Sequence, residues 1–185
     1  NTANVTSLSN MFHGCTSISS IDLSGNSFVR VNNMEAMFKN CTGLADINFG
    51  ENFYSQNVVN MASLFEGCNK LVSIDLSKFN TTKVNNLGMV GMFKNCTALT
   101  SIDLSTFDTS SVTSMKEMFF GCVRLEAVDA SSFNVSLVTT YEGMFQNCSL
   151  AKTLVLNTWV LDTAGSIVTT NMFNGCAQLE NIYVG

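Results

Sequence analysis

The chain has no proline, one histidine and one tryptophan in 185 residues, and only 9 lysines and arginines against 14 acidic residues. Each shortage closes off a class of protein. Without proline there is no stiff proline-rich linker. A net charge of −5 leaves no basic stripe of the kind that grips a phosphate backbone, so nucleic acid is not an expected partner. No apolar run approaches the roughly 18 residues of a membrane-spanning helix, so no transmembrane segment is expected. No two cysteines lie closer than 26 residues, which excludes the clustered C-x-x-C pairs of zinc sites. No glycine-rich phosphate loop and no carboxylate pair of distinctive spacing is present. The chain is therefore read as a non-enzyme without cofactor or metal. It opens without a methionine, a charged start or a signal-type apolar segment, and is expected to be a piece of a longer protein.

What is abundant is periodicity. Cys15, Cys41, Cys68, Cys96, Cys122, Cys148 and Cys176 are spaced by 26, 27, 28, 26, 26 and 28 residues. Each follows a phenylalanine by three positions: Phe12, Phe38, Phe65, Phe93, Phe119, Phe145 and Phe173. A period of that length marks a solenoid, here a single one over 1–185 with about seven units of 26–28 residues, the last truncated. His13, the lone histidine, falls in a slot that elsewhere holds Lys39, Glu66, Lys94, Phe120, Gln146 and Asn174. A slot so variable reads as surface, and no catalytic pair can be built on it.

Within a unit the period changes. Val112, Met115, Met118, Phe119 and Cys122 recur at three and four, which predicts a short helix or helical turn. The residue before each Cys is always Gly or Asn (Gly14, Asn40, Gly67, Asn95, Gly121, Asn147, Gly175), the types that enter the left-handed region at least cost. That slot is read as the stop. Then Ile74-Asp75-Leu76, Ile102-Asp103-Leu104 and Val128-Asp129-Ala130 alternate apolar and polar, predicting a short strand in a parallel sheet. A second aromatic column follows at Phe53, Phe79, Phe107, Phe133 and Trp159; in the first unit Asn26 takes that slot and Phe28 lies two residues later. The fold class is an α/β repeat solenoid. Two places carry extra residues, around Gly88-Met89-Val90-Gly91 and around Asp162-Thr163-Ala164-Gly165; such insertions read first as tolerated bulges, and otherwise as protruding loops of the kind that carry binding.

The string from Met92 to Met115, M-F-K-N-C-T-A-L-T-S-I-D-L-S-T-F-D-T-S-S-V-T-S-M, resembles the 26-residue repeats of bacterial surface proteins. These occur in mycoplasma and Listeria lipoproteins and are akin to BspA-like leucine-rich repeats. The resemblance runs over the whole chain and implies a leucine-rich-repeat-like solenoid with an extracellular or cell-surface, non-enzymatic role in adhesion. It carries over no catalytic residue. Units six and seven depart most, with Ala151 in place of the usual Leu and Val155 and Tyr183 in place of the Asp.

The candidate contact face is the outward column Asp22, Asn48, Asp75, Asp103 and Asp129, with Tyr183 as its one aromatic. Strands pair at about 4.8 Å, so carboxylates one unit apart repel. Hydrogen bonds from neighbouring Ser, Thr and backbone amides offset that repulsion, or a bound cation such as Ca²⁺ does. A face of small polar residues without Trp or Arg suits weak multivalent contacts with a host or matrix protein or a glycan. The other reading is a structural stalk or fibre that self-associates. The cysteines are expected to be reduced core thiols, since seven cannot all pair and a buried Cys behaves as a small hydrophobe. Six N-x-S/T sequons, at Asn4, Asn40, Asn80, Asn95, Asn134 and Asn147, matter only if a eukaryotic secretory pathway makes the chain.

Overall fold

The computed structural model describes residues 2–157, 159 and 167–184. The chain winds through seven coils, numbered here by their cysteines. Among the described residues five short strands lie on one side: β1 (Ser20–Asp22), β2 (Asp46–Asn48), β3 (Ala127–Asp129), β4 (Thr153–Leu156) and β5 (Asn181–Val184). Pairing is parallel throughout, β1 with β2 and β3 with β4 with β5. The pairs sit one coil apart, so Ile21 meets Ile47 and Val128 meets Leu154.

The helix expected from the three-and-four spacing is absent among the described residues, and a run of tight turns takes its place. In coil 2 the N–H groups of Met37, Lys39 and Cys41 close back on the carbonyls three residues before them. The alternate N–H groups, of Met34, Ala36, Phe38 and Asn40, instead donate to the carbonyls of Asn60, Ala62, Leu64 and Glu66 in coil 3. An α-helix would turn every one of them onto the residue four back. The left-handed residues prevent it. Each coil has two: the Gly or Asn before the cysteine, and a second one four positions earlier at Asn10, Ala36, Ser63, Gly91, Glu117, Gly143 and Asn171 (φ 54° to 60°). Spacings of three and four fit such i→i+3 turns as well as they fit a helix, so periodicity did not separate the two.

The core runs between the strands and these turns. Phe38, Phe65, Phe93, Phe119 and Phe145 are fully buried, while Phe12 and Phe173 are half-buried at the two ends. Their rings are nearly parallel, with centroids 5.5 to 6.0 Å apart, as in offset stacks. The second column holds Phe53, Phe79, Phe107, Phe133 and Trp159. Phe28 completes it from a different slot, packing edge-on against Phe53 at 5.8 Å. In later coils that slot holds Ser55, Thr81 and Thr109, whose buried hydroxyls donate to the next coil's Asn80, Asp108 and Asn134 carbonyls at 2.8 to 3.0 Å.

All seven cysteines are free; Cys15 and Cys176 are half-buried and the other five buried. Their arrangement explains why a thiol stands in this slot. From Cys41 onward each Sγ donates to the carbonyl of the phenylalanine in the preceding coil, at 3.0 to 3.2 Å. The Phe38 carbonyl thus accepts both the Cys41 N–H and the Cys68 thiol. The thiols stitch coils together as well as filling space.

The slot before the cysteine has its own packing rule. The Asn40 amide lies over Gly67, where a Cβ would come 2.5 Å from its Oδ1. Asn95 covers Gly121 and Asn147 covers Gly175 in the same way. Gly67→Ala is therefore expected to destabilise the fold, by about 1–2 kcal/mol for the left-handed backbone alone and further through the contact. Asn40→Gly should relieve the second part. A double-mutant cycle by chemical denaturation should give a coupling of about 0.5–3 kcal/mol; additive effects would contradict the packing described.

Candidate contact face

The outward column begins at Asp22, on β1. Each aspartate of the column is held by its own chain: Oδ1 of Asp22, Asp75, Asp103 and Asp129 accepts the N–H of Ser24, Ser77, Ser105 and Ser131 at 2.9 Å. Asn48 does the same with the Gly50 N–H at 3.0 Å. These bonds stabilise the ionised form and hold all four carboxyls below the usual carboxylate range. The backbone N–H contributes most for Asp22 and Asp103, and the serine hydroxyl for Asp75 and Asp129. The local cause is the Asp-x-Ser spacing, which suits a turn closed by a side-chain carboxylate. The side chains remain exposed.

The sheet is discontinuous along this column. Residues 74–76 and 102–104, expected as strands, form none. Pairing occurs where the column carries no second carboxylate: Asp22 faces Asn48, which donates Nδ2 to it at 3.1 Å, and Asp129 faces Val155. It fails where Asp75, Asp103 and Asp129 follow one another. Three like charges at strand spacing disfavour the close approach that a ladder requires. Between coils 2 and 3 a different cause operates. Phe49 fills the slot of Leu76 and wedges against Phe53 and Phe79. Small notches open at both places, about 110 Å³ between Asp103 and Asp129 and about 130 Å³ between Asn48 and Asp75.

Tyr183 lies on β5 opposite Val155 and is 53% exposed. His13 is exposed and hydrogen-bonds through Nδ1 to Asn10 Oδ1 at 3.1 Å. Among the described residues no three His, Cys, Asp or Glu side chains gather as a metal site. Asn80 and Asn134 are exposed, and each closes its own turn through Oδ1. The insertion near Gly88 raises the backbone beside an open groove, whereas the one at Asp162 to Gly165 lies outside the described residues. Among the described residues four lysine–glutamate pairs bridge successive coils. Three of them, Lys39–Glu66, Lys78–Glu51 and Lys116–Glu142, join equivalent slots of neighbouring units, whereas Lys94–Glu117 joins different slots, which unit spacing alone does not align.

Residues 1–73 and 59–183 match the family described as "Mycoplasma protein of unknown function, DUF285". The chain belongs to this family. Membership meets the resemblance read from the M-F-x-x-C core. No curated protein matches the chain. Among solved structures, the DUF285 chain is similar to the leucine-rich repeat protein of T. pallidum, at 19% identity and a TM-score of 0.53, covering 95% of this chain and 72% of that one. That likeness establishes a leucine-rich-repeat fold. A leucine-rich cell surface protein of Faecalibacterium prausnitzii is matched at 16% identity and a TM-score of 0.38, over 95% of this chain and 62% of that one. A leucine-rich repeat protein of Bacteroides ovatus is matched at 17% and 0.41, over 98% and 64%. No enzyme family is indicated by these matches, and no helix among the described residues is long and apolar enough to cross a membrane.

Proposed function

We propose that the chain is a non-enzymatic recognition module of a cell surface or of the space outside it, which attaches through many weak contacts along its strand face. The observation that carries this reading is the column of ionised, outward carboxylates in four of the seven coils, each fixed by its own Asp-x-Ser turn. Such groups are pre-oriented, so little conformational freedom is lost when a partner engages them. Singly they bind feebly, but a rigid array raises the effective concentration of each next contact. A host or matrix protein or a glycan with spaced cationic or hydroxyl groups suits that surface.

The test is adhesion of beads that display the chain to immobilised matrix proteins and to a glycan array. Replacing Asp75, Asp103 and Asp129 together by Asn keeps the turns but removes three charges. Binding should fall by about tenfold or more and become less sensitive to salt. Undiminished adhesion by the triple variant would sink the proposal. A second reading, a stalk in which the repeats supply length, draws on the sameness of the coil-to-coil hydrogen bonds. Electron microscopy of the parent protein would reveal it as regular fibres.

A further inference from the structure

The two extra residues of coil 4 do more than lengthen a turn. Isolated parallel bridges run Ser7 to Asn33 to Asn60, and resume from Asn86 to Val112; among the described residues none joins Asn60 to Asn86. At that step the chain bulges, with Asn86 in the left-handed region (φ 47°). Beside the bulge lies a groove of about 480 Å³. Val59, Leu87 and Val90 give it apolar walls, and Leu87, 62% exposed, is the most exposed large apolar side chain described. The polar rim includes Asn60 and Glu35, whose Oε2 accepts the Asn60 Nδ2 at 3.1 Å. The lining holds that one carboxylate and no lysine or arginine.

We propose that this groove docks a peptide segment of a partner protein that carries an aliphatic or aromatic side chain with a lysine or arginine nearby in sequence. The inference rests on the recognition reading only in taking the chain to be a binding module, since it uses none of the residues of the Asp column. Three features select the occupant. The volume and the mostly apolar lining with a few polar groups match what accepts one or two side chains. The lining offers no aromatic ring on which a sugar would stack. The Glu35 charge, paired with no lysine or arginine among the described residues, favours a cation, and disfavours a second copy of a chain whose own net charge is −5.

The experiment uses the full chain and a set of capped nonapeptides in a Gly/Ser background, each with one Leu or Phe and one Arg at separations of one to four. A matched set carries Glu for Arg. By fluorescence polarisation, Arg peptides should bind about tenfold or more tighter than Glu peptides. Leu87→Ser, at an exposed position, should abolish that binding without changing the melting temperature. Glu35→Lys should invert the charge preference, and the Asp75/Asp103/Asp129→Asn variant should bind the peptides as the native chain does. The proposal is overturned if Arg and Glu peptides bind alike, or if Leu87→Ser binds as the native chain does. Displacement of bound peptide by array oligosaccharides would also overturn it, as would a Leu87-dependent dimer in sedimentation.

Discussion

Replacing Phe93 or Phe119 by alanine is expected to cost about 3–5 kcal/mol, the range for emptying a large aromatic site in a packed core. Both rings are fully buried, and each stacks on two neighbours, at 5.6 and 5.5 Å for Phe93 and 5.5 and 5.6 Å for Phe119. Truncation therefore removes apolar contact on both faces as well as the offset-stacking contribution. Phe12 and Phe173 are half-buried and have one stacked neighbour each, so the same change there should cost distinctly less. In a stack whose stability is a sum of nearest-neighbour interfaces, a central loss weakens two interfaces and a terminal loss one. Chemical denaturation of the four single variants reads the difference. Equal losses at centre and ends would contradict nearest-neighbour coupling.

Alkali is expected to unfold the chain through its thiols. Burial raises the pKa of Cys41, Cys68, Cys122 and Cys176 and pushes Cys96 and Cys148 up to about 12, because a thiolate there would lose its water. A folded-state pKa above the unfolded one gives stability that is complete below the unfolded value, near 9. It is lost as pH rises towards the folded values. Deprotonation also removes the S–H that each of these cysteines donates to a phenylalanine carbonyl. Melting temperature should be flat from pH 7 to about 9 and then fall steeply, with thiols becoming reactive to a disulfide reagent over the same interval. The aspartate column has the opposite sign. Its depressed values contribute stability above the unfolded pKa of 3.8, and that contribution fades as pH falls through the lower folded values. Thiols that label rapidly at pH 8 while the fold is intact would refute the alkaline mechanism.

Much of this architecture is legible in the sequence, and the misreadings have physical causes. The Gly/Asn slot announces its left-handed backbone because all seven coils use only those two residues there. The second left-handed slot does not, since Ala36, Ser63 and Glu117 occupy it in three coils and are held there by the inter-coil bonds of their own N–H groups. A tertiary constraint overrides local preference at these positions, so the three-and-four spacing predicts a helix where turns stand. Alternation at Ile74-Asp75-Leu76 gave the right inward and outward faces but could not weigh the repulsion of neighbouring aspartates. Phe28 joined the aromatic column from the wrong slot because a ring can reach the same space from either side of a turn. The exposed aspartates were visible as a column. The groove beside Leu87 was signalled only by two surplus residues, whose lining comes from three coils and is therefore dispersed in the sequence.

The asparagines laid over glycines mean that this solenoid counts in twos. Down the stack the slot reads Gly14, Asn40, Gly67, Asn95, Gly121, Asn147, Gly175, a strict alternation beneath a one-coil period. Each of these asparagines lies against a glycine of the next coil, so the full pattern repeats over a coil pair of 52 to 55 residues between alternate cysteines. Recombination that inserts or deletes an even number of coils preserves this parity, and an odd number sets asparagine on asparagine or leaves two glycines adjacent. Repeat arrays drift in length by such exchanges. This one carries a parity check in its backbone.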